Sequence, residues 1–253
     1  MKDNYSVFSK HYNEINSSVS EAVRMQTLEF ARRSGVKSVC DFGCGTGELI
    51  KLFYNNKMDA YGCDISVSMV REAERELACC NGVEIKHADM VEYNPPVHVD
   101  LATSFFDSIN YLLSEEAWVR FFNNVFQILN KGGYFIFDFV TVYDLKECWP
   151  GYHSNLQGQD WVLQRLSEFD LQKQIGIELM QWSLFRENHW QTYTEIHEHF
   201  ALTKERVHRL LTDIGFIDIK MTDSDTGNDV YDNETTRIMV HAKKNKGTKW
   251  KAG

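Results

Sequence analysis

The stretch Val39-Cys40-Asp41-Phe42-Gly43-Cys44-Gly45-Thr46-Gly47-Glu48-Leu49 constrains this chain more than any other. It predicts a short buried strand, a glycine-rich turn and the first turn of a helix. Glycines at alternate positions remove the Cβ atoms that would hold a ligand off the backbone, and they open backbone angles closed to other residues. A helix starting at such a turn presents free N–H groups to a polar or anionic ligand group. The spacing argues against a dinucleotide, whose fingerprint is G-x-G-x-x-G. Here it is G-x-G-x-G, and Asp41 precedes the first glycine by two residues. A carboxylate beside the loop repels a pyrophosphate and suits a ligand carrying positive charge.

Composition narrows the partners. A net charge of −9 over 253 residues argues against a nucleic-acid surface, which needs a basic patch. The one basic run, Lys243-Lys244-Asn245-Lys246 to Lys249-Trp250-Lys251, reads as a solvated tail. There is no apolar stretch of membrane-spanning length and no secretion signal in Met1 to Tyr5. The cysteines Cys40, Cys44, Cys63, Cys79, Cys80 and Cys148 form no CxxC pair and read as free thiols. The expected location is therefore the cytoplasm, with no membrane partner and no metal.

The pattern D-x-G-x-G-x-G over Asp41 to Gly47 resembles motif I of the class I S-adenosylmethionine-dependent methyltransferases. The rest of the chain is consistent with their order of elements. A strand over Met58 to Asp64 ends on an acid 17 residues after Gly47, where a βαβ unit places the carboxylate that accepts from ribose hydroxyls. Ser66 caps a helix through Leu77, with Ile65 and Met69 beside the expected adenosine. A third strand, Val83 to Met90, ends on Asp89. In the resembled family an acid here accepts from the adenine amino group and the next residue, here Met90, packs on the ring. The fourth strand, Val99 to Thr103, leads into Ser104-Phe105-Phe106-Asp107-Ser108-Ile109-Asn110-Tyr111-Leu112. Ser114 caps an amphipathic helix ended by Gly132-Gly133, and an apolar fifth strand spans Tyr134 to Phe139.

The expected fold is therefore α/β, Rossmann-like and doubly wound, with a mostly parallel seven-stranded sheet. Residues 1–143 and 203–253 form the core, including a helix from Ser20 to about Arg33 and an aromatic N-terminal lid bearing Tyr5, Phe8 and Tyr12. Residues 144–202 form an antiparallel β insertion of three strands (161–169, 174–185 and 190–202) that covers the acceptor or serves as a dimer surface through Trp161, Trp182 and Trp190. His197 and His199 share a strand face; without a third ligand nearby they read as a half-exposed face rather than a metal site. Thr203 starts a helix ended by Gly215, and two strands separated by a mobile loop, Thr222 to Thr236, complete the sheet.

The lid and the insertion resemble the aminosugar N-methyltransferase and glycine N-methyltransferase-like group. The resemblance implies S-adenosyl-L-methionine as cofactor, S-adenosyl-L-homocysteine as product, and Tyr5 and Tyr12 over the methionine part. Gly43, Gly45 and Gly47 would contact the cofactor, Asp41 would fix the loop and the amino-acid end, and Ser104 would line the site. Asp107, Asn110 and Tyr111 are the acceptor-side candidates. Tyr111 stands where the sugar enzymes carry a histidine proposed as base, and a phenol with a pKa near 10 is a poor base at neutral pH. The expectation is a methyltransferase, monomeric or dimeric, acting on a small-molecule amine. The alternatives are an O- or S-methyltransferase and a non-catalytic binder of the same cofactor.

Overall fold

Strand β1, Ser38–Phe42, is buried along its whole length and lies in the middle of the main sheet. It pairs in parallel with β2, Asp59–Asp64, and with β4, Val99–Ser104. Beyond β2 lies β3, Glu84–His87, also parallel. On the other side β4 pairs in parallel with β5, Leu129–Val140. Antiparallel β11, Arg237–Lys244, and β10, Phe216–Asp223, finish the sheet. The order β10-β11-β5-β4-β1-β2-β3 brings the C-terminal ends of β1, β2, β3 and β4 to one edge, where open α/β sheets bind ligands. This computed structural model describes residues 3–231 and 233–247, side chains 17–20 excepted.

Helices α1, Tyr12–Ser34, α2, Glu48–Asn55, α3, Val67–Glu76, α4, Glu115–Ile128, and α5, Lys204–Ile214, flank the sheet. The side chains of Ser66, Ser114 and Thr203 accept from Met69 N, Ala117 N and Arg206 N, N-caps worth about 1 kcal/mol each. Among the described residues, no helix is long and apolar enough to cross a membrane. Along β5 the side chains alternate between two cores. Phe135, Phe137 and Phe139 join Trp118, Phe121, Phe122 and Leu211, while Ile136 joins Leu28, Val39, Ile50 and Phe53.

Several boundaries differ from expectation. Helix α1 begins at Tyr12 rather than after Ser20, so the N-terminal aromatic stripe runs directly into it. Gly132-Gly133 do not end α4; the chain enters β5 at Leu129, which pairs with Val99. These glycines sit in a bulge, where a Cβ on Gly133 would lie 3.0 Å from Asn130 O and from Asp100 O. The loop before β11 starts later than expected, since β10 continues to Asp223, and Thr141 Oγ1 donates to Thr235 O to tie that loop down. Lys243 and Lys244 are not a tail. They belong to β11, and Lys244 donates to the carbonyls of Phe126 and Leu129 at the end of α4. Lys249, Trp250 and Lys251 lie outside the described residues.

Between β5 and α5 the chain makes a π-helical turn, Asp144–Cys148, and a second, antiparallel sheet in the order β6-β7-β8-β9. Its strands are β6, Tyr152–Gln157, β7, Trp161–Asp170, β8, Ile175–Arg186, and β9, His189–His199. The fourth strand, β6, escapes sequence reading because its side chains are mostly polar and exposed; backbone pairing to β7 defines it. Trp161 and Trp182 are not on a surface. They are buried with Leu163, Met180 and Leu184 against Val7 and Phe8 of the N-terminal arm, whereas Trp190 is 54% exposed.

Candidate functional site

The glycine loop is anchored from below. Gly43 N and Cys44 N both donate to Cys63 O, at 2.9 and 3.0 Å, tying the loop to the end of β2. Gly43, Gly45 and Gly47 have φ of 70°, 52° and 79°, the left-handed region that glycine adopts without strain. A Cβ on Gly43 would lie 2.5 Å from Ser108 Oγ, so the 3-10 turn Ser108–Tyr111 seats directly on the loop. A Cβ on Gly45 would meet only Met69 Sδ, at 4.0 Å, leaving open space above that backbone.

The first two acids take distinct places. Asp64 accepts from Gly45 N at 2.9 Å and Ser66 N at 2.8 Å, joining the end of β2 to both the loop and the start of α3. Burial lifts its carboxyl to about 6 despite those bonds. Asp41 was expected to fix the loop, but its carboxylate accepts from the Thr103 hydroxyl of β4 at 2.6 Å, and the Cys63 carbonyl holds the loop instead. Asp41 is 4% exposed, and burial, together with the nearby Asp64 charge, pushes it to about 7.

Along the same edge Met69 is buried in α3 beneath Gly45, and Ile65 is 51% exposed beside Asp64. Strand β3 stops at His87, so Asp89 sits in the turn beyond it, exposed, accepting from Val91 N at 3.0 Å. Met90 is half-buried, its Cε 3.7 Å from the Cβ position of Gly43. Ser104 ends β4, wholly buried, with a hydroxyl that meets no partner among the described residues.

The N-terminal arm straps this edge. Asp3 accepts from the Ser66 hydroxyl at 2.7 Å and from Ser68 N at 2.9 Å. Tyr5 and Tyr111 share a hydrogen bond between hydroxyls at 2.6 Å. Farther along, Val7 N donates to Glu195 Oε1 at 2.8 Å, and Trp182 Nε1 donates to Glu195 Oε2 at 3.0 Å, clipping the arm to the second sheet. Tyr12 is half-buried against Phe8, ring centroids 5.2 Å apart.

Sequence reading missed the groups that gather around Asp107 and Tyr111. His197 and His199 do not form a half-exposed face: both are buried, at 0% and 2% exposure. His197 Nδ1 lies 2.8 Å from the Tyr111 hydroxyl, so β9 brings an imidazole against that phenol. His199 Nε2 lies 3.0 Å from Asp107 Oδ2. Arg237 donates to Asp107 at 2.7 Å and to Asp138 at 3.1 Å, and Asp138 accepts from Phe106 N and Asp107 N. Burial works to raise the Asp107 carboxyl, but Arg237 and His199 outweigh it and hold it well below the usual carboxylate range. Burial, with help from His199 and Arg165, pushes His197 down to about 3, and burial raises the Tyr5 and Tyr111 phenols.

Asn110 leaves the list of acceptor-side candidates. Its amide donates to Val140 O and Phe200 O, and its oxygen accepts from Val140 N, which consumes it as a buried staple. The signal for the histidines was present but inverted. On β9 Glu195, His197 and His199 face inward while Ile196 is 45% exposed, so a hydrophobic-inside rule puts the wrong face in solvent.

Residues 39–133 match the family model described as a methyltransferase domain. Over those residues the chain carries a methyltransferase domain, on a Rossmann-like methyltransferase fold. The chain is 24% identical over 242 residues to a protein of Geobacillus sp. (strain WCH70) whose name describes it as a methyltransferase, covering 94% of this chain and 96% of that one. In structure it is similar to an S-adenosylmethionine-dependent methyltransferase from Clostridium acetobutylicum ATCC 824, with TM-score 0.80 and 20% identity over 93% of this chain and 98% of that one. It is also similar to a sugar N-methyltransferase from Streptoalloteichus sp. ATCC 53650, with TM-score 0.72 and 20% identity over 95% and 92% of the two chains. These structural likenesses concern the fold. The residues present fit such a cofactor: open space over Gly45 would admit a ligand against the backbone, and Asp64, which accepts from Gly45 N, would supply a carboxylate beside it.

Proposed function

We propose that this methyltransferase acts on a small molecule and methylates an amine nitrogen. One observation carries the reading: the cluster of half-buried Tyr5 and Tyr111 with buried His197 and His199, seated on the glycine loop by the Ser108–Tyr111 turn. Tyr111 and His199 have ring centroids 4.4 Å apart, and Trp149 faces His199 at 5.0 Å. Aromatic faces next to an anionic Asp107 suit a nitrogen that becomes cationic as it is methylated. A site walled by the arm and the second sheet admits a compact acceptor and excludes a folded macromolecule.

When bound, S-adenosylmethionine supplies an electrophilic methyl group on a sulfonium. Gly43, Gly45 and Gly47 would take the ligand against the backbone, Asp64 would accept from the ribose hydroxyls, and Ile65, Met69, Asp89 and Met90 would form the adenine side. Asp41 would complement positive charge, and Tyr5 and Tyr12 would cover the methionine part while Ser104 lines the floor. Displacement at a methyl needs little covalent help, so these residues act mainly by orientation, which can supply about 7–11 kcal/mol of barrier reduction. The Tyr5–Tyr111–His197 chain excludes water and orients the nitrogen. Likeness to a sugar N-methyltransferase supports nitrogen as the target atom, and Tyr111 in place of a histidine argues against an aminosugar as the acceptor.

The test is a panel of small amines, phenols and thiols, monitored by release of S-adenosylhomocysteine. Release with amines is expected. Release with phenols or thiols alone overturns the choice of nitrogen, and cofactor binding without release from any acceptor favours a non-catalytic binder.

A further inference from the structure

The two phenols and the first imidazole of this cluster cannot take a proton. Tyr111 and Tyr5 are phenols whose burial holds them protonated, and His197 is held neutral and only weakly basic. An amine, in contrast, delivers a proton for each methyl it accepts, and a buried site needs somewhere to put it.

His199 is different in one respect that geometry decides. Its Nε2 faces Asp107 Oδ2 at 3.0 Å, and Asp107 also accepts from Arg237, which keeps it ionised. An ionised carboxylate only accepts, so in the neutral ring Nε2 carries the hydrogen and Nδ1 is left with a bare lone pair. That Nδ1 is buried and meets no partner among the described residues. A buried lone pair without a donor is costly, about 1–3 kcal/mol, and calls for a ligand group to satisfy it. The imidazole lies between the ring of Tyr111, on the turn that sits on Gly43, and the ring of Trp149. The imidazole ring therefore belongs to the cluster that Tyr111 seats on the glycine loop.

We propose that His199 is the catalytic proton acceptor, with Asp107 and Arg237 as positioning residues that fix its tautomer. The inference rests on the amine reading above. The nitrogen lone pair forms the new N–C bond as the S–C bond of the sulfonium donor breaks, its electron pair remaining on sulfur. The surplus proton passes from nitrogen to His199 Nδ1, and the resulting imidazolium keeps its Nε2–H on Asp107. The charged groups around the ring are Asp107 from the turn after β4, Arg237 from β11, Glu178 from β8 with its partner Arg165 from β7, and His197 two residues back on β9. His197 stays neutral beside it.

The first readout needs no acceptor. In ¹⁵N-histidine-labelled, ligand-free protein, long-range ¹H–¹⁵N correlations should assign His199 as the Nε2–H tautomer, and Asp107→Asn should lose that preference. An Nδ1–H tautomer in wild type overturns the proposal whatever the enzyme methylates. The second readout uses any amine that releases S-adenosylhomocysteine in the panel. His199→Gln should lower kcat by about 10²- to 10⁴-fold near neutral pH, with the loss shrinking as rising pH frees the amine. A wild-type pH profile in folded His199→Gln overturns the proposal. If no amine turns over, the functional reading fails separately, and the tautomer still decides the state of His199.

Discussion

Asp41 places a carboxylate in the centre of the sheet, and its energetics can be worked out. Its ordinary value of 3.8 is lifted to about 7 by burial, a shift of about 3 units, or about 4 kcal/mol at 1.36 kcal/mol per unit. A carboxyl whose folded pKa lies above its unfolded value holds its proton longer in the native state, so ionising it costs stability. The penalty is absent below about pH 4, grows as pH rises towards about 7 and is complete above that. Asp41→Asn removes the charge and keeps an oxygen for the Thr103 hydroxyl. Urea unfolding of both proteins at about pH 5 and about pH 8 isolates the effect, because the intervening titration spans about 2 units and so about 3 kcal/mol. The variant should gain about that much on wild type at the higher pH, and should bind S-adenosylmethionine more weakly. A stability difference that does not change with pH would refute the reasoning, since it would mean that Asp41 pays no burial penalty for its charge.

Gly45→Ala places a methyl in the open space above the loop at φ of 52°, and should weaken S-adenosylmethionine binding at least about 100-fold, about 2.8 kcal/mol by calorimetry; unchanged affinity would put the ligand elsewhere. Asn110→Ala strands Val140 N, Val140 O and Phe200 O, and should cost about 3 kcal/mol in denaturant unfolding. A stable variant would show that the staple is dispensable. Glu195→Gln turns one acceptor into a donor facing Val7 N–H or Trp182 N–H, and hydrogen exchange at Val7 should quicken about 30-fold, for about 2 kcal/mol lost. Equal exchange would mean that the arm is held without the Glu195 clip.

Much of the sheet was legible because its residues obey local rules. The apolar run of β1, the capping residues Ser66, Ser114 and Thr203, and Gly215 after α5 each announce an element from nearby sequence. The glycine loop announced the methyl donor for the same reason, since Asp41, Gly43, Gly45 and Gly47 lie in one short stretch. The acceptor side was not legible because its partners are brought together from afar. Asp107 meets His199 and Arg237, and Tyr111 meets Tyr5 and His197, only after the second sheet has folded back over the first. Periodicity assigns a face to His197 and His199 but does not say which face is buried. Asn110 shows the converse error: a polar residue at the right place whose hydrogen bonds all go to backbone.

The central claim is that methyl transfer at this site ends on nitrogen. The most direct measurement supplies S-adenosylmethionine carrying a ¹³C-labelled methyl together with whichever acceptor releases S-adenosylhomocysteine, and follows the product by ¹H–¹³C NMR. The expected signal is a new N-methyl resonance that is titratable with pH and is lost in Gly45→Ala. A methyl resonance on oxygen or sulfur would contradict the account.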